Sequence, residues 1–225
     1  MTRQERAIRT RMAILVAAAD VFDEVGYEAA TISEILQRSG MTKGALYFHF
    51  ASKEELAQGV LAAQVDAVPP IPKQIYKLQE AVDRALMLSY LLKRDPMLRG
   101  SVRLTVDLGS PKDGLDRRVP LQEWTDLSKH LFDEAKAAGE LLAHVDTDST
   151  AKLFVGGFTG IQLMSQIMTG REDMEERMSD LYRNLMTPIT VPAVLLQLDF
   201  SVNRGAKVYE AAMKQREEEQ GAVPA

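Results

Sequence analysis

Cysteine is absent from the 225-residue chain, which excludes a disulfide framework, a thiolate metal site and a cysteine nucleophile. Histidine is almost as scarce. His49, His130 and His144 stand at no metal-ligand spacing, so neither a metal nor a cofactor is expected. None of the signatures G-x-S-x-G, P-loop, H-E-x-x-H or G-x-G-x-x-G occurs. The acidic stretches Glu172 to Glu176 and Glu217 to Glu219 read as solvated runs, not as a paired acid and base, and an enzyme is not expected. Long apolar runs are missing too. The longest uncharged run, Leu153 to Gly170, carries Thr, Ser and Gln and falls near the lower limit of about 18 apolar residues for a membrane span. The basic start MTRQERAIRTR is not followed by the apolar stretch of a secretory signal, so a cytoplasmic protein without a membrane span is the expectation.

Strand-like alternation and internal repeats are lacking as well, while 46% hydrophobic and 26% charged residues suit an ordinary globule. The net charge of −5 argues against nucleic acid until its distribution is considered. Residues 1–53 hold seven Lys and Arg against six Asp and Glu, a balance of +1, so the deficit lies entirely beyond them. Within the first eleven residues Arg3, Arg6, Arg9 and Arg11 face only Glu5.

What the chain has is helical periodicity from end to end. Ile14, Leu15, Ala18, Val21, Phe22 and Val25 form an apolar stripe that Gly26 stops. Thr31 and Glu34 have the spacing of a capping box and open a second helix that closes at Ser39-Gly40. Thr42 caps a short third helix, Lys43 to about His49, and Ser52 with Glu55 opens a fourth that runs to about Val65, before Pro69, Pro70 and Pro72. Further helices are predicted at about 75–93, 95–107, 118–138, 147–169, 172–187 and 190–213. The breakers between them are Asp95-Pro96, GSPKDG at 109–114, Gly139, Gly170 and Pro188 with Pro192. The expected architecture is all-α: an N-terminal three-helix helix-turn-helix domain at 1–66, a larger C-terminal helical domain for ligand binding and dimerisation at 67–215, and a flexible tail at 216–225.

Two short helices joined by a tight turn, the second beginning Thr-Lys-Gly, have the form of a helix-turn-helix whose second helix enters the major groove. The Thr42 hydroxyl and free N–H groups suit a phosphate, Lys43 a base edge or phosphate, and Gly44 a close backbone approach; Tyr47 and His49 add polar tips. The alternative is a buried amphipathic helix in which Leu46, Phe48 and Phe50 are all core.

The runs TISEI from Thr31 and GMTKGALYFHFASKEEL from Gly40 to Leu56 resemble the DNA-binding domain of TetR-family transcriptional regulators. That resemblance implies a homodimer on double-stranded operator DNA, with Arg3, Arg6, Thr31, Ser33 and Lys53 joining Thr42, Lys43, Gly44, Tyr47 and His49 as DNA-binding candidates. It also implies a divergent C-terminal domain that binds a small effector and dimerises through its last long helices. A narrower resemblance, carried by GALYFHFASKEELA at 44–57, LDRR at 115–118, the EW pair at 123–124, GELLAHV at 139–145 and GFTGIQLMSQ at 157–166, is to the γ-butyrolactone-type autoregulator receptors of filamentous actinomycetes. These repress antibiotic and signal-synthesis genes until a diffusible γ-butyrolactone or butenolide, such as avenolide, releases them from DNA.

Trp124, the sole tryptophan, is either a core residue or, by this resemblance, part of the hormone pocket. A lactone needs one or two placed donors in an apolar cavity. His130, Thr159, Gln162 and Gln64 are the candidates for these, with Met87, Tyr90, Phe132, Phe158 and Ile161 as apolar lining. Gly156 and Gly160 are expected to permit close helix packing. AVLLQLDF at 193–200 is expected to pack partly inside the subunit and partly across a two-fold axis. A repressor answering to another apolar molecule, or one without an effector, is the alternative.

Overall fold

The computed structural model describes residues 2–107 and 113–221. Among them the secondary structure is helical, apart from one isolated antiparallel bridge between Leu141 and Thr190. In chain order the helices are α1 (Arg3–Ala29), α2 (Ile32–Ser39), α3 (Lys43–His49), α4 (Lys53–Asp66), α5 (Lys77–Leu92), α6 (Pro96–Val106), α7 (Arg118–Ala137), α8 (Thr147–Thr169), α9 (Met174–Met186), α10 (Pro192–Leu195) and α11 (Arg204–Gly221). They form two compact units. The first runs to Ala67 and takes in Arg94–Gln122; the second holds Val68–Lys93 and continues from Glu123. The break at Ala67 lies one residue from the expected boundary, but residues 94–122, expected in the larger domain, fold with the first unit.

Local capping explains where the helices of the first unit begin. Thr2 and Glu5 cap α1 reciprocally, and Thr31 and Glu34 do the same for α2. The hydroxyls of Thr42 and Ser52 accept from Ala45 N–H and Glu55 N–H at the starts of α3 and α4. Gly26 interrupts α1 at φ +78°, where the stop was expected, and Gly40 ends α2 in the left-handed region at φ +66°. The core joins Ile14, Leu15, Ala18, Val21 and Phe22 to Ile35, Leu46, Phe50, Leu56, Val60 and Leu61. Val25, expected in that stripe, is instead 42% exposed, beside the kink at Gly26. Asp95 caps α6, with Pro96 in its first turn, and a Cβ at Gly100 would lie 2.1 Å from the Ala19 carbonyl oxygen. Only a glycine lets α6 cross α1 this closely, which is why the segment joins this unit.

In the second unit α5 is buried on almost every side. Its N-terminus has no local cap; the Glu140 carboxylate accepts from the N–H groups of Lys77 and Leu78, both at 2.9 Å. Asp83, fully buried, pairs with Arg204 Nε and Nη2 at 2.8 and 2.6 Å. The Gln79 side chain bonds both Asp199 N–H and the Asp199 carbonyl, while Ser179 Oγ donates to the Phe200 carbonyl. Those side chains satisfy the backbone at 199–201 outside a helix, so the single helix expected over 190–213 is instead α10, a turn and α11. Helix α11 continues to Gly221, into the stretch expected as a tail; residues 222–225 lie outside the described residues, as does 109–112 of the GSPKDG breaker.

Candidate functional site

The first unit presents an exposed recognition element. Leu46, fully buried, anchors α3, and this leaves Lys43, Gly44, Tyr47 and Phe48 facing solvent. Lys43 Nζ stands 5.9 Å over the Tyr47 ring, one turn away on the same face. His49 is half-buried, its ring edge-on to Phe48 at 5.0 Å. Thr31 and Ser33 are exposed at the start of α2, although the Thr31 hydroxyl is engaged by Glu34. Arg3 and Arg6 are exposed on the first turns of α1; like Arg9 and Lys43, they pair with no carboxylate among the described residues. These cations are therefore free to meet phosphate.

Arg38 and Lys53 of this unit are held by groups within it. Arg38 forms a two-pronged bond to Glu24, both arms 2.8 Å, and a further one to Asp20, which raises its own pKa and lowers that of Glu24. Lys53, a DNA-binding candidate, is engaged within the unit. Its ammonium donates to the carbonyls of Tyr27 and Ala30 at 2.8 and 3.0 Å and sits 4.5 Å from the Tyr27 ring. It neutralises the carbonyl end of α1 and is only half-exposed. Phe48, which the buried-helix alternative placed in the core with Leu46 and Phe50, is 78% exposed.

The second unit buries several of the effector candidates. Met87 and Phe132 are fully buried, Phe158, Trp124 and Gln162 nearly so, and Tyr90 half-buried with its ring 5.6 Å from Tyr209. Phe132, Phe154 and Tyr182 form an aromatic column with centroid spacings of 5.4 and 4.3 Å. Trp124 Nε1 and Gln162 Nε2 are buried without a hydrogen-bond partner in the protein. The Tyr182 hydroxyl is likewise unpaired, and burial pushes its pKa well up. Tyr182 was not a sequence candidate, although Met178, Tyr182 and Met186 repeat at helical spacing.

Four candidates depart from this set. His130 has a 70% exposed side chain, 3.7 Å from Glu134, because six residues past Trp124 is about 240° around a helix of 3.6 residues per turn. The Thr159 hydroxyl donates back to the Val155 carbonyl at 2.9 Å. Ile161 lines a surface groove of about 510 Å³ with Arg177, Leu181 and Leu185. Gln64 belongs to the first unit, where its side-chain oxygen accepts from Ser101 and Thr105. Among the described residues no cluster could hold a metal ion, and no helix is long and apolar enough to cross a membrane.

Residues 14–60 match the bacterial regulatory proteins of the tetR family. The A-factor receptor protein of Streptomyces griseus is 36% identical over 230 aligned residues, which cover 100% of this chain and 80% of that protein. Among solved structures, full-length native TylP, a TetR regulator from Streptomyces fradiae, is 57% identical with a TM-score of 0.88 over 92% of this chain and 99% of that one. A gamma-butyrolactone receptor, an ArpA-like protein, is 26% identical with a TM-score of 0.68 over 91% and 99% of the two chains.

Proposed function

The chain belongs to the TetR family of bacterial regulatory proteins, which bind operator DNA as dimers, and from that premise we propose that it is a repressor released from its operator by a small lactone or butenolide. Its relatives are transcriptional regulators and not enzymes. The observation that carries the effector half of the reading is the pair of unpaired donors, Trp124 Nε1 and Gln162 Nε2, among apolar side chains. A buried donor without a partner costs about 1–3 kcal/mol, so a ligand that brings acceptor oxygens into this environment is favoured. A lactone offers a carbonyl and a ring oxygen but no charge to desolvate. Met87, Tyr90, Phe132 and Phe158 would surround its alkyl chain. The name of one relative, a gamma-butyrolactone receptor, points to the same ligand class.

The dimer face is on α8. Leu153, Leu163, Met164, Ile167 and Met168 are exposed, and a Cβ at Gly156 or Gly160 would meet nothing within 4 Å. The two glycines leave room for a second copy to approach across a two-fold axis, where they would permit close helix packing. In the 193–200 segment Val194 and Phe200 turn inward and Leu196 is its one exposed large apolar side chain, so α8 offers the larger apolar surface.

Release follows from a population shift. The two recognition helices must stand about 34 Å apart, or a multiple of one DNA turn, to enter successive major grooves. An effector that favours another spacing about 100-fold supplies roughly 2.7 kcal/mol of coupling. The protein acts in the cytoplasm, on antibiotic and signal-synthesis genes.

The test is a gel shift on the DNA upstream of the protein's own coding sequence, with avenolide, with a synthetic γ-butyrolactone and with neither. Release by either compound supports the reading. Binding that neither changes favours a repressor with another effector, and absence of binding at low salt overturns the DNA half as well.

A further inference from the structure

Phe48 is the one large side chain on the outer face of α3 that has no polar tip, and at 78% exposure it is far more open to water than its neighbours Leu46 and Phe50, which are buried. Leaving a phenylalanine in water forgoes burial that the adjacent core offers. A helical side chain leans toward the N-terminus, over the turn before its own Cα. For Phe48 that turn carries Gly44, where a Cβ would meet nothing within 4 Å. The His49 ring abuts Phe48 edge-on at 5.0 Å and limits its rotation. The outer face of α3 is thus divided into two stripes. Lys43 and Tyr47 form a polar one, and Gly44 and Phe48 form an apolar one with bare backbone beside an aromatic plate.

In the major groove the only apolar feature on a base edge is the C5 methyl group of thymine. We propose that Phe48 reads a thymine methyl in each operator half-site, with Gly44 giving the base edge room to approach. The proposal rests on the DNA-binding reading above and assigns a sequence preference to a position that the phosphate-contacting cations cannot supply.

The operator sequence need not be known for the test. Duplexes are selected from a random library with the full-length protein, and each thymine of the best duplex is then replaced by uracil, which removes only the methyl group. At one thymine per half-site, uracil should weaken wild-type binding about fourfold, the effect of losing one methylene-sized contact. Phe48→Ala should bind the parent duplex more weakly and show no further loss on that uracil duplex. Phe48→Leu should keep part of the methyl dependence. Because the side chain is exposed, both variants should melt like the wild type. Uracil substitution that leaves wild-type binding unchanged at every thymine, or an equal uracil effect in wild type and Phe48→Ala, overturns the assignment while leaving DNA binding intact. Failure of the wild type to select any duplex overturns both.

Discussion

The two units differ in how their polar contacts are distributed, although each has both kinds: Arg99 reaches Asp23 in the first, and Asp146 caps α8 at Ser149 in the second. In the first, helix ends are closed by side chains three residues away: Thr2 with Glu5, Thr31 with Glu34, Thr42 with Ala45, Ser52 with Glu55. In the second, the important pairs are far apart in sequence, 62 residues for Glu140 with Leu78, 120 for Gln79 with Asp199 and 121 for Asp83 with Arg204. The second unit also buries polar groups that find no partner at all, on Trp124, Gln162 and Tyr182. A unit that reads DNA keeps its free polar groups on the outside, where water solvates them until phosphate replaces it. On the proposed reading, the second unit keeps unpaired donors inside, where their cost would make a ligand with acceptors selective.

The largest expected effect breaks the buried side of that contrast. Asp83→Ala leaves Arg204 partly buried with its main partner gone and should cost about 3–5 kcal/mol. Arg38→Ala, which removes the corresponding charge from Asp20 and the exposed Glu24 of the first unit, should cost far less, because water screens the pair. Chemical denaturation of the two variants checks this, and equal losses would erase the distinction. Next come the glycine crossings, one in each unit. A Cβ would lie 2.1 Å from the Ala19 carbonyl at Gly100 and 2.2 Å from the Leu86 carbonyl at Gly205. Both Gly100→Ala and Gly205→Ala should cost about 1–3 kcal/mol, but only the first should loosen the unit that carries α3. A gel shift run below the melting point of each variant separates them.

Smaller effects test the donors directly. Trp124→Phe removes the indole N–H and keeps most of the ring; it should raise the effector concentration needed for release about three- to tenfold, the worth of one hydrogen bond. His130→Ala, on the exposed face of α7, should change nothing in the same titration. The reverse order would return His130 to the pocket.

The fold of the first unit was legible because its signals are local. Capping spacings, Gly26, Gly40 and the apolar stripe all lie within a few residues of what they control. The contacts of Lys53 were not legible, because its partners, Tyr27 and Ala30, are more than twenty residues away and carry no signal in the side-chain pattern. The turn at 196–203 was missed for the same reason, since Gln79 and Ser179 hold it from distant helices. His130 is a different case. Its residue type suits a pocket donor, while helical periodicity, counted from Trp124, already puts it on the opposite face.

The smallest effect concerns two aspartates, one per unit, whose carboxyls are both held down at a pKa of about 2. Asp116, in the first unit, is held by Arg118, two residues on and largely exposed. Asp173, in the second, is held foremost by the hydroxyl of Ser165 and then by Arg177 and Thr169, so that it fastens the end of α8 to the start of α9. A carboxyl with a depressed folded pKa adds stability that is present above its unfolded value near 3.8 and lost as pH falls toward 2. The linkage requires that the unfolded chain lack the interaction. Asp116 and Arg118 are close enough to meet in an unfolded chain, whereas Ser165 and Asp173 meet only when α8 and α9 pack. Asp173→Asn should therefore flatten the fall in melting temperature between pH 5 and pH 2 more than Asp116→Asn does. Equal flattening would mean that the pKa alone, and not the sequence distance to its partners, decides the acid stability of each unit.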